Sequence, residues 1–218
     1  PFCLLSKKRY VGMLYEEDPH YCKRKSMGIV LKRRDNAPIV KDVYGGIIDI
    51  LMKEKDINKS ISFLENMLND IVNQNIPMHK LIISKSLRSF YKNPKQIAHK
   101  VLADRMGQRD PGNKPGPGDR IPYVYILTSK KNDLQGNKIE NPDYIREKKL
   151  KIDYGFYITN QIMKPVLQIY SLVLNDMPQF SKRKKMFQRM VKRVHEEMDD
   201  YDKYHKKVQQ LKDKEVEK

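Results

Sequence analysis

The stretch RMGQRDPGNKPGPGDRIPYVYI, residues 105–126, decides how the rest of the chain is read. It holds Gly107, Gly112, Gly116 and Gly118 together with Pro111, Pro115, Pro117 and Pro122. Proline fixes φ and glycine admits positive φ, so the pattern predicts a shaped loop of tight turns. Asp110-Pro-Gly and Gly118-Asp supply turn chemistry. A segment of helical period leads in, and the β-rich run Tyr123-Val-Tyr-Ile-Leu leads out. Arg105, Arg109, Lys114 and Arg120 ride on the stretch, opposed only by Asp110 and Asp119. Such a loop suits a phosphate backbone, and an ordinary surface connection can share its composition.

Upstream of the loop, Pro94 is expected to open a helix with Ile97, Ala98, Val101, Leu102 and Met106 inward. Leu81-Ile-Ile-Ser84 reads as a short strand. Two helices precede it. The first carries the stripe Ile39, Val40, Val43, Ile47, Ile48, Leu51 and Met52, with Asn36 as N-cap and Pro38 in the first turn. Gly45-Gly46 within it implies a close packing partner or a bend. The second carries Ile57, Ile61, Leu64, Met67, Leu68, Ile71 and Val72 and stops at Asn75-Ile-Pro77. Residues 1–31 read as strands, with runs at 9–15 and 27–31 and a polar turn at 16–20.

Downstream, a strand is expected over 122–128 and a solvated excursion over 129–150, with one helical turn near Asp143. Asp153 then caps a long helix from Tyr154 to about Leu174. It is apolar on more than one face, and Pro165 should kink it. The tail from Ser181 begins with Lys182-Arg-Lys-Lys and carries a heptad-like stripe through Phe187, Val191, Val194, Met198, Tyr201, His205 and Val208. That stripe suits an amphipathic helix packed on its own protein or an oligomer seam. Asp199-Asp200-Tyr-Asp202 lies among lysines and reads as a solvated ion-pair face rather than a metal site.

The 218 residues allow one large domain or two small ones. The formal net charge is +17, of which residues 182–218 carry +5 and the body +12. That excess points to an anionic partner, nucleic acid first and a membrane surface second. The triplets Lys7-Lys8-Arg9, Lys23-Arg24-Lys25 and Lys32-Arg33-Arg34, with Tyr10, Tyr15 and Tyr21 interleaved, have the look of a nucleic-acid surface. Cys3 and Cys22 form no disulfide framework and no C-x-x-C pair, so they read as ordinary thiols in a reducing compartment. The absence of a signal peptide or an 18-residue apolar run predicts a soluble chain. An opening Pro-Phe-Cys without Met suggests a piece of a longer polypeptide or a removed tag. His-Glu-x-x-His, Walker and nucleophile-elbow motifs are lacking.

Four motifs in register resemble the family B DNA polymerases, above all the delta-type replicative enzymes of eukaryotes and large DNA viruses. They are Lys7-Lys8-Arg9-Tyr10-Val-Gly; Gly28-Ile-Val-Leu-Lys-Arg33-Arg34-Asp35-Asn; Arg105-x-x-x-Arg109-Asp110-Pro-Gly with Gly118-Asp-Arg120-Ile-Pro-Tyr123; and Asp153-Tyr-Gly-Phe-Tyr157 through Lys164-Pro165-Val-Leu-x-Ile-Tyr170. The likeness runs from about residue 4 to residue 174. It implies an α+β, mainly helical fold: short palm-edge strands over 1–31, a helical thumb with a small β element and a long C-terminal helix over 32–175, and a basic amphipathic tail helix over 176–218. It implies that Lys8 reaches the minor groove at the primer's terminal base pair and Tyr10 the primer backbone. Lys7, Arg33, Arg34, Arg105, Arg109, Lys114 and Arg120 would join them in binding DNA, although Arg-Asp adjacency fits internal ion pairs equally well. Met27 departs from the Lys that relatives often carry there. The cysteine-rich C-terminal modules of cellular delta enzymes are absent.

The family's catalytic aspartate motifs, which hold two metal ions, are also absent. The segment is therefore expected to bind no cofactor and to polymerise nothing alone, with Mg2+ implied for the full-length enzyme. Implied partners are primer–template duplex, N-terminal polymerase domains and a processivity factor, with no membrane. The implied location is intracellular, at the site of DNA replication (nucleus or viral factory). A stand-alone basic nucleic-acid-binding or assembly subunit of a split polymerase is the alternative.

Overall fold

Three antiparallel strands open the chain. The computed structural model describes residues 2–16, 22–128 and 133–175. In it β1 (Phe2–Ser6), β2 (Arg9–Tyr15) and β3 (Cys22–Met27) pair in the order β1-β2-β3. Val11 at the centre of β2 is fully buried, while Phe2, Leu4 and Met27 stay largely exposed, so one face of the sheet meets the core. The third strand corrects the expectation of a strand over 27–31. Backbone pairing to β2 runs from Tyr15↔Cys22 to Tyr10↔Met27, and Gly28, at φ +64°, ends it. Ile29 and Val30 enter the core beyond that turn. The strand was overlooked because Lys23-Arg24-Lys25 reads as a flank, yet charged side chains are common on an edge strand.

α1 (Pro38–Asp49) starts at a proline preorganised for the first turn. Its N-cap is Ala37, not the expected Asn36, whose amide instead donates to the Val30 carbonyl at 3.5 Å. A wide turn, Ile50–Glu54, extends the helix to Lys55, whose N–H bonds the Ile50 carbonyl at 3.0 Å. α2 (Ile57–Val72) is capped by Asp56, which accepts from the Lys59 N–H at 3.0 Å. A β-carbon at Gly46 would sit 2.4 Å from the Phe63 ring. The glycine pair therefore marks a close packing partner, as the sequence predicts.

A second antiparallel sheet follows, β4 (Ile83–Ser86), β5 (Arg120–Tyr125) and β6 (Ile139–Glu140), in that order. β4 lies two residues later than expected. β5 starts at Arg120 rather than at residue 122, so Arg120 belongs to the strand and not to the loop. α3 (Ala98–Arg109) is preceded by a separate 3-10 turn, Pro94–Gln96, because Ile97 is extended. Part of the expected solvated excursion is packed structure: Ile139, Glu140 and Ile145 are buried in β6 and α4 (Pro142–Lys148).

The long final helix is present in three parts. They are α5 (Tyr154–Phe156), a π-type turn Tyr157–Ile162, and α6 (Met163–Asn175). Pro165 lacks an N–H and crowds the carbonyl four residues back, and the turn before it widens, with the Met163 N–H bonding the Ile158 carbonyl.

Both sheets and the helices share one core. Each fully buried Ile or Leu in it contributes about 1.5–3 kcal/mol. Two tyrosine hydroxyls fasten its layers. The Tyr157 hydroxyl donates to the Leu81 carbonyl at 2.7 Å and accepts from the Tyr125 N–H at 3.2 Å. The Tyr170 hydroxyl donates to Ser60 Oγ at 2.9 Å, and burial pushes that phenol up to about 12. The expected tail helix and its stripe lie outside the described residues, as does Tyr21.

Candidate nucleic-acid interface

The turn between β1 and β2 is Lys7-Lys8, and both side chains are exposed. Neither has a hydrogen bond or ion pair among the described residues. Lys8 sits at φ +63°, a left-handed conformation that costs a side-chain-bearing residue roughly 1–2 kcal/mol. Tyr10, half-buried on β2, lies against Phe2 with ring centroids 5.6 Å apart. Of the triplet on β3, Arg24 is turned inward: it pairs with Asp49 Oδ2 at 2.8 Å and donates to the Gly45 carbonyl at 3.3 Å. Those bonds tie the first sheet to α1 and give Arg24 a carboxylate partner, which Lys7 and Lys8 lack among the described residues.

From Gly28 the chain passes through a buried pair, Ile29 and Val30, to the exposed Arg33 and Arg34. Arg34 has no partner among the described residues. Arg33 forms a fork with Asp35, Nε to Oδ1 at 3.0 Å and Nη2 to Oδ2 at 2.9 Å. That hydrogen bonding, with the Arg33 and Lys85 charges, outweighs burial and holds the Asp35 carboxyl below its ordinary range. An exposed pair of this kind is worth about 0–1 kcal/mol, so a phosphate could displace the carboxylate at low cost.

Lys85 brings this loop beside the second sheet. It stands on β4 between Ser84 and Ser86, and Arg120 on β5 lies opposite Ser86. Arg120 donates from Nε to Ser84 Oγ at 3.1 Å, from Nη1 to Ser86 Oγ at 3.2 Å, and from Nη2 to the Ser84 carbonyl at 2.7 Å. All three acceptors are neutral, so Arg120 is oriented while its charge stays uncompensated. The sequence reading missed Lys85 and Arg88. Their fields, behind the larger effect of burial, lower the pKa of His99. Strand alternation hid Lys85, since it places it on the same face as the buried Ile83.

The proline-rich loop is fixed from within. Asp119 Oδ2 accepts from the Gly116 N–H at 2.8 Å, and Asp110 Oδ2 accepts from Asn113 Nδ2 at 2.7 Å. The Gly118 N–H bonds the Leu87 carbonyl at 2.9 Å. Lys114 is exposed, and its stem crosses α3 where a β-carbon at Gly107 would meet it at 2.6 Å.

Arg105 and Arg109 differ from the cations above in sharing one buried carboxylate. Glu140 is 3% exposed and receives both. Arg109 binds it as a fork, Nη1 to Oε1 at 3.1 Å and Nη2 to Oε2 at 2.9 Å, and stacks 3.6 Å from the Tyr144 ring centre. Arg105 Nε lies 3.4 Å from Oε2 without hydrogen-bonding alignment, and its Nη2 donates to the carbonyls of Ile139 at 2.6 Å and Gly136 at 3.2 Å. The structure thus gives these two arginines the internal ion pairs that Arg-Asp adjacency had suggested, but with a distant glutamate as partner.

Among the described residues no helix is long and apolar enough to cross a membrane, and no group of three or more His, Cys, Asp or Glu lies together to hold a metal.

A family model described as DNA polymerase family B matches residues 1–173. The chain is 53% identical over 224 residues to a DNA polymerase of Pyramimonas orientalis virus, covering 100% of this chain and 18% of that protein. It is 54% identical over 180 residues to a DNA polymerase of Acanthamoeba polyphaga mimivirus, covering 80% and 10%. It is 34% identical over 176 residues to the DNA polymerase delta catalytic subunit of Candida albicans, covering 81% and 17%. The chain thus spans less than a fifth of the length of these curated relatives. A solved structure of the family B DNA polymerase from the archaeon Pyrobaculum calidifontis shares its fold, with a TM-score of 0.58 at 21% identity, over 77% of this chain and 21% of that one. By the match of its sequence over residues 1–173, the chain belongs to DNA polymerase family B.

Proposed function

We propose that this chain is the palm-edge and thumb portion of a DNA-directed DNA polymerase, and that it holds primer–template duplex during replication. Residues 1–31 form the palm edge, 32–175 the thumb and 176–218 a basic amphipathic tail. The observation that carries the reading is a set of exposed cations without carboxylate partners among the described residues: Lys7 and Lys8 at the first turn, Arg34 beyond Gly28, and Arg120 oriented across β4 by neutral acceptors. Arg33 lies beside them, held by an exposed carboxylate that phosphate can replace. Phosphate contacts fix register without reading sequence, as an enzyme that copies any sequence requires. A lysine at the primer terminus addresses minor-groove acceptors common to all base pairs. Tyr10 lies two residues further on, in β2, where it meets the primer backbone. Lys114 adds a further phosphate contact from the loop. Arg105 and Arg109 shape that loop through Glu140 and act on DNA indirectly.

The complete enzyme would carry out nucleotidyl transfer with Mg2+ at the place where DNA is replicated, joined by its N-terminal polymerase domains and a processivity factor. Among the described residues no carboxylate cluster fits that ion. The polymerase relatives favour this reading over a stand-alone assembly subunit.

The test is a salt titration of binding to a labelled duplex with a recessed 3′ end. Log affinity should fall linearly with log salt, by a slope of about 0.9 for each phosphate contacted, with little dependence on sequence. Binding that ignores salt contradicts the proposal.

A further inference from the structure

Gly28 lies against the Lys7-Lys8 turn. A β-carbon at residue 28 would sit 2.3 Å from the Lys8 carbonyl oxygen and 3.1 Å from Arg9 Cγ. The Lys8 carbonyl therefore fills the volume that any other residue's side chain would need. Gly28 is itself left-handed at φ +64°, and Lys8 faces it at φ +63°. Two left-handed residues from different strands thus meet backbone to backbone, immediately past the Tyr10↔Met27 pair that ends the β2–β3 ladder. The contrast is Gly118, also left-handed at φ +93°, whose β-carbon would find nothing within 4 Å.

A left-handed lysine at a solvent-exposed turn persists only where its surroundings hold it. At this turn the holding element is the glycine, which lets a backbone approach that no β-carbon permits. We propose that Gly28 is a positioning residue for Lys8. It fixes the turn so that the lysine is presented in one direction before DNA arrives, and it touches no DNA itself. Preorganisation of this kind lowers the ordering cost of a flexible lysine on binding. The same contact couples the turn to Arg33 and Arg34, which leave the first sheet through Gly28. This inference rests on the reading of Lys8 as a primer-end contact.

The experiment uses the whole chain, its lysines labelled by reductive 13C-methylation, with a recessed-3′-end duplex as probe. In the unaltered chain the duplex should shift the Lys8 methyl resonance. Failure of Lys8 to respond while other lysines do would overturn the primer-end reading and this inference with it. With Lys8 responding, Gly28→Ala should abolish the Lys8 shift and leave the Lys32 and Lys85 shifts in place. A Lys8 shift unchanged in Gly28→Ala overturns the positioning role alone and leaves the primer-end reading standing. Gly118→Ala should leave Lys8 untouched, and equal loss there would mean general strain and overturn the role. A measurement that needs no variant covers the case in which Gly28→Ala does not fold. The Lys8 amide coupling constant and its cross-relaxation to Gly28 should report the left-handed turn both free and DNA-bound. Departure of Lys8 from that conformation on binding overturns the proposal.

Discussion

The first sheet and the α3–β6 region are both rich in basic residues, yet they use them in opposite ways. Lys7 and Lys8 project from a turn and have no hydrogen bond or ion pair among the described residues. Arg105 and Arg109 converge on one carboxylate that is 3% exposed, and a ring and two carbonyls take up more of their surface. Local charge density does not distinguish the two regions. The difference is whether the fold brings an acceptor to the cation. Arg24 shows the rule inside the first sheet itself: one residue of a basic triplet meets Asp49 and becomes structural.

The largest effect should come from breaking the buried cluster. Arg109→Ala leaves the buried Glu140 with the Asn141 N–H at 2.9 Å and the misaligned Arg105, and should destabilise the chain by about 1–3 kcal/mol, read from the denaturant midpoint. A loss of DNA affinity without loss of stability would instead make Arg109 a DNA contact.

Removing an unpartnered cation should do the reverse. Arg34→Ala should change stability by no more than about 0.5 kcal/mol and should lower the salt slope of duplex binding by about 0.9. An unchanged slope would take Arg34 out of the interface.

Arg33 lies between the extremes. Asp35→Asn frees its charge and should tighten duplex binding a few-fold, within the roughly 0–1 kcal/mol of an exposed pair. Weaker binding would show that the fork with Asp35 presents Arg33 to DNA.

The smallest effect is a pH dependence. The Asp35 carboxyl is depressed, so its contribution is present above the ordinary carboxylate pKa and is lost as pH falls through the lower folded value. The carboxylate shift of Asp35 followed by NMR should titrate below that of an unpaired aspartate, and in Arg33→Ala it should rise toward the ordinary range.

Much of the fold was legible because it rests on periodic apolar positions. The stripe on α1 and the multi-faced apolar pattern after Tyr154 correspond mostly to buried side chains, with Leu167 exposed. Gly45-Gly46 announced a close approach, and Phe63 supplies it. The strand Cys22–Met27 was hidden because its pairing lies in backbone hydrogen bonds and its side chains are mostly charged. The region around Ile139, Glu140 and α4 was hidden for a related reason. A glutamate between polar residues reads as solvated until arginines more than 30 positions away are folded against it.

The candidate site divided along the same line. Exposure at Lys8 and Arg34 follows from local turn chemistry, which a sequence carries. The fate of Arg105 and Arg109 depends on a long-range partner, which it does not.

Arginine-selective modification with a dicarbonyl reagent, mapped by mass spectrometry with and without primer–template duplex, tests the central claim most directly. The account predicts that Arg34 reacts freely and is protected by DNA, while Arg105 and Arg109 resist the reagent in both conditions. Arg105 and Arg109 reactive in the free chain and shielded by duplex, with Arg34 indifferent to DNA, would contradict it.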